Sequence, residues 1–412
     1  MKRPTIRLTA VMMLAALLLT MFAIPAFAEG EETADTRSLI IISDMGIHDT
    51  YPENSQPALQ AAIHAGADML RLPIRKTADG VLILAEDDDL SRICDTDHTP
   101  INALSYADIQ QLRVKEGAGG NTAETEYTVP LLTDTLETFG ERTLYLLDFD
   151  FAIRDDVYQA VRETGLLGKC LFVLRASADK ALAWKNSFGN SLLNIVVYQK
   201  TNVIFKALST EKKLLKDNGA YVWFAASNPY GVVFGKTVAK RFSALSGAMA
   251  RISRKDLSGK RLDTPDYWEN LVQAGYNMFI TDDVARLAEY REQSLLARRD
   301  LLVTMAYVAD SFTLPEFKSS TFRKLKFAYT NADTQAQRLA NKAFAGKNEC
   351  EDARYNLKAA VNDIRANYAA LEAGKADFSV TPGKIITAVL TVGLFVLLQV
   401  FILKKRKKSG HQ

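Results

Sequence analysis

The chain has 412 residues, 48% of them apolar and 24% charged, a balance that can bury a full core and excludes an intrinsically disordered polypeptide. A formal net charge of +3 points to no class of partner. Three cysteines, Cys94, Cys170 and Cys350, are too few and too scattered for a disulfide framework or a metal-binding cysteine set.

In chain order, Lys2, Arg3 and Arg7 precede an apolar run over residues 10–24, and Ala26-Phe27-Ala28 places small residues where a signal peptidase cuts. Residues 1–28 therefore read as a removed secretory signal, an uncleaved membrane anchor being the other reading, and residues 29–37 as a linker. From 38 to 285, short β-branched runs alternate with helical patterns, which predicts parallel βα units. Strands are expected over residues 39–43, 69–74, 81–85, 144–149, 171–174, 193–198, 221–225, 249–252 and 278–281. A closed (β/α)8 TIM-type barrel takes eight, so one candidate is surplus, and the doubt is placed between residues 193 and 252. Helices are expected over 56–64, 106–112, 132–138, 157–164 and 266–274, several followed by glycines at C-cap positions.

Beyond Asp283 the pattern is helical only. Three amphipathic stretches, 287–308, 321–344 and 351–371, predict an all-α three-helix bundle over residues 286–371, because each carries one apolar stripe to bury. In composition this segment resembles FIVAR-type helical repeats of bacterial surface proteins. A linker over 372–384 leads to an uncharged apolar run, 385–403, long enough to cross a hydrocarbon core of ~30 Å. Five basic residues, Lys404 to Lys408, begin the tail over 404–412, which predicts a cytoplasmic C-terminus and an extracellular N-terminal region in a single-pass cell-membrane protein.

The α/β region carries a series of short motifs in a fixed order: Ile41-Ile42-Ser43-Asp44-Met45-Gly46, Pro52-Glu53-Asn54, Ala65-Gly66-Ala67-Asp68, Arg71-Leu72-Pro73, Thr77-Ala78-Asp79-Gly80, Glu86-Asp87-Asp88, the segments 104–109 and 129–136, and Ile280-Thr281-Asp282. Together they resemble the glycerophosphodiester phosphodiesterase family over about residues 38–290. The resemblance implies a TIM barrel in which two histidines perform acid/base work and acids bind a divalent metal that neutralises the phosphodiester. Here the two histidine positions are Asp44 and Glu86, and Met45 replaces a phosphate-binding arginine. The metal-binding acid pair is Arg71 and Pro73, a shorter acid stands at Asp148, and a family lysine is Asp150. Gly46, Glu53 and Asp87 keep the family's residues.

Arginine stays charged and donates in a fixed fork, so Arg71 is expected to replace the metal, with Asp44, Glu86 and Asp148 around it. The pocket, completed by Gly46, Glu53, Asp87 and Asp150, would then carry a net negative wall that opposes phosphodiester binding. Two readings follow. In one, the barrel is inactive and serves as a binding or scaffold module, held by its membrane helix, needing no cofactor, binding no nucleic acid and offering its helical bundle to a protein partner. In the other it hydrolyses glycerophosphodiesters with calcium or magnesium and relocated groups, for which His48 and His98 are candidates; their bland reading is two solvent-exposed loop histidines. His64 reads as a helix-end or surface residue, and His411 falls in the tail. Asp87, Asp88, Asp89, Asp95 and Asp97 offer oxygens for calcium but lack a loop motif, and read as a solvated acidic surface. Tyr221, Trp223 and Phe224 read as strand packing rather than pocket lining.

Overall fold

The computed structural model describes residues 39–189, 193–200, 209, 213–214, 220–225, 248–252, 262–317, 319–342 and 344–372. The expected signal, membrane span and basic tail lie outside these residues, as do nearly all positions of the two linkers. Among the described residues no helix is long and apolar enough to cross a membrane.

Among the described residues nine strands form one sheet: β1 (Ile40–Asp44), β2 (Met69–Lys76), β3 (Leu82–Leu84), β4 (Leu144–Phe149), β5 (Cys170–Leu174), β6 (Asn194–Lys200), β7 (Ala220–Ala225), β8 (Ala248–Arg251) and β9 (Met278–Thr281). Their order is β1-β9-β8-β7-β6-β5-β4-β2-β3, and β1 also pairs with β2, so eight parallel strands close into a barrel. The ninth, β3, runs antiparallel to β2 through Ile74 opposite Leu84 and lies outside the ring. The surplus strand is therefore the one at 81–85, not one of those between 193 and 252, which all pair in parallel. Chain geometry explains the correction. Five residues, Thr77 to Val81, join β2 to β3, with Thr77 N–H bonded to Val81 O at 2.9 Å and Gly80 at φ +90°. A parallel crossover needs a dozen residues or more, so a link this short makes a hairpin.

Alternation along each strand sets two faces. Ile41, Leu70, Leu72, Tyr145, Leu147, Phe172, Val197 and Phe279 point outward into a core shared with the surrounding helices. Ile40, Ile42, Met69, Leu146, Leu171, Val173, Val196, Met249, Met278 and Ile280 fill the barrel interior. Two residues further along several strands, the same inward face becomes charged. Asp44 follows Ile42, Asp148 follows Leu146, Arg175 follows Val173, Arg251 follows Met249 and Asp282 follows Ile280. An apolar floor thus lies beneath a charged layer at the C-terminal mouth of the barrel, the end at which such folds keep their sites.

Among the described residues the longer helices are α1 (Gln56–His64), α2 (Leu132–Phe139), α3 (Arg154–Thr164), α4 (Ala178–Ser187), α5 (Pro265–Ala274), α6 (Val284–Ser311), α7 (Ser320–Ala340) and α8 (Lys347–Glu372). Ser55 caps α1 by accepting from Ala58 N–H, and glycines follow α2, α3 and α5. Residues 106–112 hold only one helical turn, Tyr106–Ile109, with a Ser105/Asp108 capping box. The helix α4 had no counterpart in the sequence reading, although Ser177 caps it.

The helical C-terminal region is continuous with the barrel. In α6, Val284, Leu287 and Tyr290 belong to the barrel's outer core. Further along, Ala297, Leu301 and Val308 share a second core with Ala332, Ala336 and Leu339 of α7 and Cys350, Ala353 and Leu357 of α8. One helix therefore serves both cores, and the expected boundary at 285/286 falls just inside it. Polar contacts fix the junction. Glu269 of α5 is buried, accepts from Tyr290 Oη at 2.7 Å and from Glu349 N–H at the start of α8, while Arg291 donates to Asp68 at 2.6 Å. All three cysteines are free and buried; burial pushes the Cys170 thiol up, consistent with its packing role.

Candidate functional site

The charged layer centres on Arg71, which β2 carries inward beside Asp44 of β1; on β4 its register partner is Leu146, two residues before Asp148. Its side chain is 2% exposed. Nη1 donates to Asp44 Oδ1 at 2.7 Å, and Nη2 donates to Glu86 Oε2 and to Asp148 Oδ2, both at 2.6 Å. The indole face of Trp223 lies 5.8 Å from the guanidinium carbon, a cation–π contact that helps keep a desolvated charge.

Two further arginines, which the sequence reading did not single out, complete the cluster. Arg251, at the end of β8, donates to Asp44 Oδ2 at 2.7 Å and to Glu86 Oε1 at 3.1 Å. Arg175, just past β5, donates to Asp148 Oδ1 at 2.7 Å and stacks 4.3 Å over Tyr198. Each carboxylate oxygen of Asp44, Glu86 and Asp148 therefore accepts from a guanidinium. Three acids face three arginines, so the cluster is balanced; the expected net negative wall is corrected by Arg175 and Arg251. Asp150 does not join it, since its carboxylate is turned to Ala152 N–H, where it caps a short 3-10 turn.

Burial pushes Asp148 up, but Arg71 and Arg175 outweigh that and hold its carboxyl below the usual range. The guanidinium of Arg71 is disfavoured by burial, yet its three acids raise it well above its ordinary value.

Beside this cluster lies a second network. Arg92 Nη1 and Nη2 clamp Glu53 at 2.7 and 2.8 Å, and Nε reaches Asp87 at 2.5 Å. Burial raises Glu53, with Arg92 pulling it back. Gly46 at φ +86° packs directly on α1, and a Cβ there would lie 2.6 Å from the Ala58 carbonyl carbon.

Among the described histidines, only His48 reaches the mouth. Its side chain is 13% exposed and Nε2 lies 3.1 Å from Asp282 Oδ1, so it is not a solvent-exposed loop residue. The hydrogen bond to Asp282 raises its pKa against the effect of burial, with Asp44 and Glu53 adding to the rise. Asp282 is itself raised by burial, which His48 only partly offsets. His98 is 86% exposed and bonded to Ser91, so the structure does not bring the two histidines together. His64 is exposed and bonded to Gln60 within α1.

The acidic surface is dispersed among local partners: Asp87 on Arg92, Asp88 on Arg75, Asp89 on Ser91 and Asp97 on Thr99. Trp223 and Tyr221 belong to the barrel interior, with Trp223 edge-on to Tyr198 at 5.2 Å; the side chain of Phe224 lies outside those described.

Residues 46–286, more than half of the chain, match the model of the glycerophosphoryl diester phosphodiesterase family. The chain belongs to this family. A glycerophosphodiester phosphodiesterase of Bacillus altitudinis is 28% identical over 122 residues, 29% of this chain and 46% of that relative. The uncharacterized protein YqiK of Bacillus subtilis is 29% identical over 96 residues, 23% of this chain and 38% of its own. The chain thus spans less than half the length of the curated relatives it matches. Among solved structures, a glycerophosphoryl diester phosphodiesterase from Parabacteroides distasonis aligns with TM-score 0.51 and 18% identity, covering 64% of this chain and 88% of that one, a likeness of fold.

A divalent metal, which membership of this family implies, does not fit the residues present. The oxygens of Asp44, Glu86 and Asp148 are committed to arginine N–H groups, and Arg71 Nη2 lies within 2.6 Å of two of these acids. A cation among them would meet a buried guanidinium of like charge. Among the described residues, no group of three or more His, Cys, Asp or Glu side chains has metal-holding geometry.

Proposed function

We propose that this glycerophosphodiester phosphodiesterase-family barrel is catalytically inactive and acts as a binding or scaffold module, displayed outside the cell on a single C-terminal membrane span, with its helical bundle open to a protein partner. One observation carries the reading. Arg71 is buried beneath the barrel mouth with Asp44, Glu86 and Asp148 on its donors, and Arg175 and Arg251 take their remaining oxygens. Hydrolysis in this family needs Lewis-acid neutralisation of the phosphodiester and proton transfer, as the sequence resemblance implies. The balanced cluster has no uncommitted carboxylate for the first, and the two family histidine positions are acids that accept rather than shuttle protons here. The apolar run over 385–403 with its basic flank supports the anchor and its orientation.

A second reading, an active phosphodiesterase with relocated groups, is favoured by the His48–Asp282 pair at the mouth. The two are separated by incubating the purified full chain with glycerophosphocholine in calcium, magnesium and manganese in turn. No glycerol 3-phosphate release and negligible bound metal are expected. Metal-dependent release that disappears on His48→Ala would establish the second reading instead.

A further inference from the structure

The three long helices differ in charge although all pack on one core. Within α6, Arg286, Arg291, Arg298 and Arg299 balance Glu289, Glu292, Asp300 and Asp310, and in α8 four cations meet five acids. By contrast α7 carries Arg323, Lys324, Lys326 and Arg338 against Asp333 alone. Its buried stripe, Phe322, Leu325, Ala332, Ala336 and Leu339, faces the other helices. The opposite face shows Arg323, Lys324 and Lys326 beside Phe327, which at 67% is the most exposed large apolar side chain among the described residues. Arg323, Lys326 and Arg338 have no ion-pair partner among those residues. An acid-poor cationic face with one projecting aromatic ring suits electrostatic attraction to an anionic lipid surface, with the ring entering the headgroup layer.

Position in the fold supplies the partner. Phe322 and Leu325 of α7 pack with Ile364 and Leu371 of α8, and Phe317 meets Tyr368 ring to ring at 5.6 Å. The basic start of α7 therefore sits beside the end of α8, where the described chain stops at Glu372. Only twelve residues, 373–384, separate that point from the apolar run at 385. Twelve residues span at most ~40 Å fully extended, so a span anchored there holds this end of the helical region close to the bilayer.

We infer that the outer face of α7 docks on an anionic bilayer surface, with Phe327 entering the headgroup layer and Arg323, Lys324 and Lys326 meeting lipid phosphates. The inference rests on the membrane-anchored reading above. It is tested with the full chain in nanodiscs of phosphatidylglycerol or phosphatidylcholine, each made with and without brominated acyl chains. The native tryptophans, Trp184, Trp223 and Trp268, are buried in the barrel and set the background. The indole introduced by Phe327→Trp is expected to lose most of its emission on brominated phosphatidylglycerol and less on phosphatidylcholine. Combining it with Arg323→Glu and Lys326→Glu should abolish that loss. An indole placed by Tyr355→Trp, exposed on α8 nearer the barrel, should keep its emission. Chain that elutes with the nanodiscs but shows no quenching at position 327 overturns the docking alone. Chain that does not elute with them overturns the anchor and the docking with it. Equal quenching on both lipids overturns the role of the cations.

Discussion

Arg71 and Asp148 are joined by two hydrogen bonds, Nη2 to Oδ2 at 2.6 Å and Nε to the same oxygen at 3.1 Å, with both side chains 2% exposed. The pair lies on adjacent strands just above the apolar floor of the barrel. Desolvating two charges costs more than exposed ion pairs return, so the cluster is held by the completeness of its hydrogen bonding rather than by Coulomb attraction alone.

Removing the cation takes a charged donor from each of the buried acids Asp44 and Asp148. Arg71→Met is expected to destabilise the barrel by about 3–5 kcal/mol in urea unfolding. Adding Asp148→Leu should recover part of that loss. An unchanged midpoint for the single variant would show that Arg71 contributes no net support.

Stability should fall at both ends of the pH range, for different residues. Asp148 is held below its ordinary value of 3.8, so its contribution is present above that value and is lost as pH drops through the lower folded value. His48 is raised above its ordinary 6.5, so its contribution is full below 6.5 and is lost as pH rises through the folded value. In melting curves against pH, His48→Gln should flatten the limb above 6.5 and leave the acid limb intact. A variant with the same slope there as the parent would contradict the His48–Asp282 assignment.

Gly46 combines a left-handed backbone with contact against α1. Gly46→Ala should cost at least ~2 kcal/mol, because backbone strain and the clash with the Ala58 carbonyl carbon act together. Gly120, with the same φ of +86° and open space around it, provides the control: Gly120→Ala should cost less by chemical denaturation.

Glu269 joins the barrel to the helical region. Glu269→Ala deprives Tyr290 Oη and Glu349 N–H of their acceptor, and each lost bond to a charged group is worth about 1.5–3 kcal/mol. Hydrogen exchange should speed up at the start of α8 while the central strands keep their protection. Uniform acceleration across strands and helices would mean that the two cores unfold as one unit.

How much of this was legible before the structure varies with the distance over which each signal acts. The barrel strands read well because an apolar run between turn residues is a local pattern. The surplus strand is not told by composition, since β3 resembles its neighbours; the five-residue link at 77–81 is the available clue. Nothing in the weakly patterned stretch 178–187 marked α4 except its Ser177 cap. At the site, Asp44, Arg71, Glu86 and Asp148 are grouped by the resemblance alone, and the structure brings these four side chains together. Arg175 and Arg251 do not stand out, because an arginine at the end of a strand or just past it has the same local appearance whether it faces water or the barrel mouth. The assignment of Asp150 to the pocket failed for a similar reason: period two places it inward only while the strand continues, and β4 ends at Phe149.

By itself the sequence determined the alternation that makes each strand two-faced and the family frame of short ordered motifs, both of which act over a few residues. Only the closed ring decided the electrostatics of the mouth. Residues 207 positions apart, Asp44 and Arg251, become partners because barrel closure brings β8 and β1 to the same rim, and charge balance there is a property of the whole circumference.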